Sequence, residues 1–413
     1  MPTSLLRQRD HEDSHRVAPV ELFFDLVFVF AVTQLSHTLL EDLTTSGALR
    51  TLLLFLAVWW LWIFTSWVTN WLDPDRLPVR ALLFALLLGG LVLSSSIPQA
   101  FGDRGLVFGA VFAAMQVGRT LFVTFVMRRH HQSHYLSFLR IAAWLLLSGV
   151  FWVLGGLAEG PARVVCWIVA VAVEYLSPAL YFWVPRLGRS TTADWDIDGR
   201  HLAGRCSLFV IIALGESILV TGTAFAQQAW NAATMAAFVV AFLGSLAMWW
   251  IYFDTGAGRA SHRIAHSDDP GRQGRLAYTY LHLLIIAGVI VSAVADELVL
   301  AHPHHFSGHD NDAIATILGG PALYIVGNAL FKWVSNDRRG PPFSHCAGLA
   351  MLAALTPLAY SHAFSPLTLG TATTTVLVIV AVWETIALRR NRPSLRGNDE
   401  PYTCNTVPGL ASV

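Results

Sequence analysis

Three ionisable side chains fall near the middle of long apolar runs: Arg119, Glu174 and Glu216. A charge at the centre of a bilayer costs at least about 2.5 kcal/mol even on the most lenient insertion scale, so each group needs protein or water around it and a partner. One arginine between two carboxylates neutralises one of them and leaves the other to bind a proton or a cation. The plainer pairing is Arg119 with Glu174, a structural intramembrane charge pair that locks helices together. Glu216 is then the candidate ion or proton site. It lies in ALGESIL beside Gly215 and Ser217, where a missing side chain lets a water, an ion or another backbone come close.

The first apolar run, VELFFDLVFVFAVTQLSHTLL, adds Glu21, Asp25, Gln34 and His37. On a helix, Glu21 and Asp25 stack one turn apart, about 40° from each other, while Gln34 and His37 take roughly the opposite face. A helix polar on both sides belongs in a bundle interior. In the seventh run His201, Arg205 and Glu216 fall within about 60° of one another, and in the ninth Tyr278, His282, Ser292 and Asp296 share a face. The expected ion or proton pathway runs through Asp25, Gln34, His37, Glu216 and Asp296, with Glu21 and Arg205 as a cytoplasmic latch. Asp25 serves equally well as a latch member paired with Arg80, Arg205 or Arg275. No residue set reads as catalytic, and none calls for a cofactor.

The elements that must position these residues follow from composition. Of 413 residues, 54% are hydrophobic and 13% charged, and mean hydropathy is +0.53. That is far too little charge to cover a large soluble globule. Runs long enough to cross a hydrocarbon core of about 30 Å occur near 20–40, 49–71, 79–98, 105–127, 138–157, 162–184, 204–226, 232–253, 278–300, 313–334, 345–361 and 368–388. The expectation is an all-α, polytopic integral membrane protein of about twelve transmembrane helices.

Basic residues set its orientation. Arg50, Arg104 and Arg163 fall in loops after odd-numbered runs and Arg119 and Arg140 inside runs, leaving 22 of the 27 Lys and Arg at the opposite end with both termini. That end is therefore cytoplasmic, in the inner membrane of a bacterium. Residues 1–19 lack the apolar core and cleavage site of a signal peptide. The cysteines show no metal-ligand spacing. Zero net charge and the lack of a nucleic-acid module leave the lipid bilayer and a small ion or molecule as expected partners.

The runs repeat. DLVFVFAVTQLS aligns with SLFVIIALGESI, setting Gln34 opposite Glu216 and Asp25 opposite Ser207. AVWWLWIFT aligns with AMWWIYFDT, VGRTLF with VGNALF, and AVAVEY with IVAVWET, the last setting Glu174 opposite Glu384. Four matches in one order indicate a duplicated six-helix unit. An even number of helices per unit makes the two repeats parallel, related by an axis along the membrane normal. The domains expected are an N-terminal segment 1–19, repeats 20–185 and 201–390 joined by linker 186–200, and a disordered tail 391–413.

Weaker signals are an outer loop AHPHHFSGHDND, a basic loop from Arg259 to Arg275, and clustered tryptophans. The loop's His302, His304, His305, His309, Asp310 and Asp312 match no closed tetrahedral motif, so no metal site is assigned. Trp59, Trp60, Trp62, Trp67, Trp71, Trp249 and Trp250 are read as helix packing.

ELFFDLVFVFAVTQL, FVIIALGESIL, the WW pairs and YLHLLIIAGVIVSAVADEL resemble the hallmarks of the bacterial low-temperature-requirement protein A family, over about Val17 to Arg390. Membership implies a polytopic bacterial membrane protein linked to growth at low temperature, without a substrate or reaction. FFDLVFVFAVT is also similar to the first helix of potassium channels with a Phe-Ser-Asp signature, built from six-helix units whose first helix lines the pore. Here Phe24 stands at the Ser position and the second unit reads Arg205-Cys206-Ser207. The function expected is transport, by a secondary transporter or ion permease with a pathway between the repeats. A non-transporting stress or lipid-state sensor or membrane-protein chaperone, and a duplicated cation channel, are the alternatives; an enzyme is not expected.

Overall fold

A computed structural model describes residues 5–7, 17–128, 132–190, 198–254, 274–306, 310–335 and 340–390. Among them are α1 (Pro19–Glu41), α2 (Thr45–Thr69), α3 (Leu77–Ser96), α4 (Gly105–Met127), α5 (Gln132–Leu157) and α6 (Gly160–Leu176). A second series follows: α7 (Gly199–Gln227), α8 (Ala232–Phe253), α9 (a π-helical Arg275–Leu281 continuing as His282–Ala301), α10 (Asp310–Ser335), α11 (Phe343–Tyr360) and α12 (Pro366–Arg390). Eleven are long and apolar enough to cross a membrane; α6, at 17 residues, is the short one. The sequence carries that run to residue 184. Pro178, just past the helix end, has no N–H to continue the ladder, and the chain then turns through Tyr181 and Phe182 at positive φ. The disordered tail expected at 391–413, most of the basic loop and His309 lie outside the described residues.

Local chemistry starts the helices that carry the polar residues. Pro19 opens α1, and the Glu21 carboxylate reaches back to accept the Ala18 N–H at 2.8 Å. Asp198 caps α7 by accepting from the N–H groups of Arg200 and His201, and Asn231 caps α8 in the same way.

Packing follows one scheme in each series. α1 lies against α2 and α3, α3 against α4, α4 against α5, α5 against α6, and both α4 and α6 against α2. The same neighbours recur with every label raised by six, from α7 against α8 and α9 to α10 and α12 against α8. The two series meet where α1 touches α7 and α9, and α2 touches α7. Leucines and phenylalanines such as Leu26, Leu88, Phe125 and Leu154 are exposed on the outside, where the bilayer lies, while Trp59, Trp60 and Trp62 are buried. Trp249 and Trp250 depart from the packing role read in the sequence. Both are exposed, because α8 presents that face outward, and the Trp250 indole N–H bonds to Thr385 and Asp254 near the helix end.

Glycine sets the closest crossing in the second series. An added Cβ at Gly288 in α9 would stand 2.5 Å from the Tyr324 backbone nitrogen and 2.7 Å from its Cα in α10. Backbone cannot swing aside as a side-chain tip can. Gly288→Ala should therefore force the helices apart and lower stability by about 1–3 kcal/mol, read as a drop in the thermal midpoint of detergent-purified protein. Gly215→Ala, where the added Cβ has open space, is the control expected to leave it unchanged.

Candidate functional site

The Glu21 and Asp25 side chains leave α1 one turn apart, as their spacing dictates, and both are fully buried. Opposite them α7 presents His201 and Arg205, also one turn apart and fully buried. Arg205 bridges the two carboxylates, with Nη1 at 3.1 Å from Glu21 and Nη2 at 2.6 Å from Asp25. Glu21 also meets His201 Nε2 at 3.0 Å and accepts from Arg7 at 3.2 Å. Asp25 accepts the Trp62 indole N–H at 2.7 Å, and the Arg205 guanidinium lies 5.9 Å from that ring's centroid. The other Asp25 oxygen, Oδ2, has no hydrogen-bond partner among the described residues. Asn70, at the end of α2, exchanges two hydrogen bonds of 2.8 Å with the Asp198 backbone and approaches His201. The latch residues are thus together, and the network draws in Arg7, α2 and the residue that caps α7.

Further along the same α1–α7 contact, Thr33 donates to Glu216 at 2.5 Å. Glu216 is 6% exposed and faces the other helix series. Sequence alignment sets Gln34 opposite Glu216, but the residue in contact is its neighbour Thr33, because Gln34 is turned by one helical step and half-buried. His37 is exposed. Asp296, half-buried in α9, lines a cavity among α8, α9, α10 and α12. Among the described residues no hydrogen bond joins Asp25, Gln34, His37, Glu216 and Asp296 to one another, so the pathway residues do not form a single bonded file.

Arg119 and Glu174 are both buried in the first series, but the direct pair expected from the sequence is replaced by a relay. Arg119 donates to Gln116 Oε1, and the Gln116 amide donates to Glu174 at 3.3 Å. Gln116, one turn before Arg119 on α4, occupies the gap. Arg119 also donates to the Leu61 carbonyl at 3.1 Å and to Thr65 at 2.8 Å, and Glu174 accepts from Ser148 and from Trp152. The second series holds a residue that sequence reasoning missed. Lys332 is fully buried in α10, donates to the Ile251 carbonyl at 2.7 Å and pairs with Glu384 at 2.6 Å. The signal was present: Glu384 aligns with Glu174 and so demands a cation, and Lys332 stands one turn beyond Asn328, the residue aligned with Arg119.

A third polar junction lies in α9. The His282 Nδ1–H donates to the Ala277 carbonyl at 2.9 Å, while Nε2 accepts from Tyr252 at 2.8 Å. The Thr279 carbonyl takes the Trp59 indole N–H from α2 at 2.7 Å. Side chains thus claim carbonyls of this segment, and it runs as a π-helix, a geometry often found at functional positions.

Among the described residues no group of three or more His, Cys, Asp or Glu is placed to hold a metal. What the arrangement offers chemically is a set of dry, mutually neutralising charges and one interfacial carboxylate, all inside a wall of exposed apolar side chains. Fold and site together define a polytopic helical membrane protein in contact with the lipid bilayer. The chain belongs to the family of bacterial low temperature requirement A proteins (LtrA), whose family model matches residues 16–382. It is similar to an uncharacterized protein of Rhizobium meliloti (strain 1021), 42% identical over 390 residues, which span 94% of this chain and 93% of that protein. No solved structure matches the chain.

Proposed function

We propose that the protein is a membrane transporter or ion permease with its pathway between two parallel six-helix repeats, along α1 and α7. The observation that carries this reading is the Thr33–Glu216 contact, a carboxylate held where the two helix series meet. Glu216 is the ion or proton site, Asp25 the gate group, and Glu21 with Arg205 the latch that closes the end bearing the N-terminus. The repeat draws support from aligned positions that make like contacts. Trp62 meets Asp25 as Tyr252 meets Ser207, and the carbonyls of Leu61 and Ile251 each accept from a buried cation. Placement in the bacterial inner membrane with both termini cytoplasmic rests on the bias of basic residues. No chemical step is assigned.

A second reading, a sensor or chaperone that moves no solute, is favoured by the burial of the network around the latch: Glu21, Asp25, His201 and Arg205 are all fully buried. Reconstituted vesicles separate the two. Under an imposed ion or proton gradient, wild-type protein should carry flux and Glu216→Gln should lose most of it. Flux absent under every gradient refutes transport, and flux indifferent to Glu216 refutes the pathway placed at Glu216.

A further inference from the structure

The cavity beside Asp296 has no role in the pathway just described. It lies within the second helix series, holds about 20 Å³ and so admits one water-sized occupant. Ser292, Asp296, Ile317, Pro321, Thr373 and Thr374 contribute to its wall. The Asp296 carboxylate has no hydrogen bond and no cationic partner among the described residues. A carboxylate without a partner among apolar helices is costly, and the cost falls if a cation joins it.

The rest of the wall supplies neutral oxygens. Ser292 is 6% exposed, and its hydroxyl has no hydrogen-bond partner among the described residues. A buried hydroxyl left unsatisfied is unfavourable, so this oxygen is open to a ligand. Thr373 donates its proton to the Gly370 carbonyl at 3.0 Å, which leaves its lone pairs to accept. Pro321 sits inside α10 and has no N–H for the carbonyl of Ile317, one turn earlier. Carbonyls left without their helical N–H donor are able to ligate Na⁺, as unwound backbone does in transporters.

We propose that this cavity is a binding site for one dehydrated Na⁺, held by the Asp296 carboxylate with the Ser292 and Thr373 hydroxyls and the Ile317 carbonyl. One carboxylate balances one monovalent charge, and the donors are all hard oxygens. A carboxylate is a strong-field oxygen ligand and so favours the smaller Na⁺ over K⁺. The site lies in one helix series only and does not rest on the transport reading.

Purified protein in detergent, melted in NaCl or in choline chloride at equal ionic strength, tests it. Na⁺ should raise the thermal midpoint with saturation, as a ligand bound to the folded state does, and K⁺ should do so less. Binding of radiolabelled Na⁺ should saturate at one ion per chain. Asp296→Asn should abolish both effects, and Thr373→Val, a milder change, should weaken binding at least about tenfold, the equivalent of 1.4 kcal/mol. The binding assay needs neither a gradient nor flux, so a failed flux assay and a failed site remain distinguishable. No saturable Na⁺ binding in the wild type, or binding undiminished in both cavity variants, overturns the proposal and leaves the cavity to water.

Discussion

Arg205→Met should cost the folded protein about 3–5 kcal/mol, the usual penalty for removing one partner of a buried ion pair. Methionine keeps the length and most of the apolar volume of the side chain, so the loss isolates the charge. The two carboxylates do not suffer equally. Glu21 retains His201, Arg7 and the Ala18 N–H. Asp25 retains only the Trp62 indole, with Oδ2 already unpartnered. The charge left exposed to the low dielectric is therefore that of Asp25. Arg205→Met combined with Asp25→Asn should recover part of the stability, because the neutral amide no longer needs a cation. Arg205→Lys should fall between, since a single ammonium lacks the planar fork that reaches both carboxylates. Thermal midpoints of the three variants in detergent check the order. A double variant no more stable than Arg205→Met would mean that Asp25 is not where the cost arises.

The second large effect concerns the centre of the first helix series. Arg119→Met should also lower stability by about 3–5 kcal/mol. Arg119 is fully buried and ties α4 to the Leu61 carbonyl and Thr65 hydroxyl of α2. Through Gln116 it also supplies the cation relayed to Glu174. Its removal strands a buried carboxylate and a set of acceptors at once, which a partly satisfied network tolerates poorly. Glu174→Gln should be milder. The amide carbonyl still accepts from Ser148 and Trp152, and only the contact with the Gln116 amide is lost. Lys332→Met probes the corresponding place in the second series, where the ion pair is direct, and should match Arg119→Met in size. An Arg119→Met protein melting like the wild type would show that the relay contributes nothing to holding α4, α2 and α6 together.

Such a dependence on buried charge accounts for the density of polar residues in so apolar a chain. Between helices in lipid there is little hydrophobic drive, and association comes from close packing and interhelical polar contacts. This protein uses both. Gly288 brings α9 onto the backbone of α10, while the Arg205 network fastens α7 to α1.

The membrane class, the approximate positions of the twelve helices and the stacking of Glu21 on Asp25 could all be read from the residues alone. Those properties depend on local hydropathy and on the fixed rotation of a helix, and neither needs a neighbour. The Glu21–Arg205 contact was legible for the same reason, because buried opposite charges at one end of two interior helices have few other partners. What only the tertiary structure decided is which groups meet across helices. Gln116 stands between Arg119 and Glu174 because the separation of α4 from α6 leaves room for a relay. Thr33 rather than Gln34 reaches Glu216, since the rotation of α1 about its axis follows from packing against α7 and α9. Asp296 lines a cavity inside the second helix series, which α8, α10 and α12 close around it. Helix spacing, rotation and crossing are sums over many side chains distant in sequence, and a single run carries no record of them.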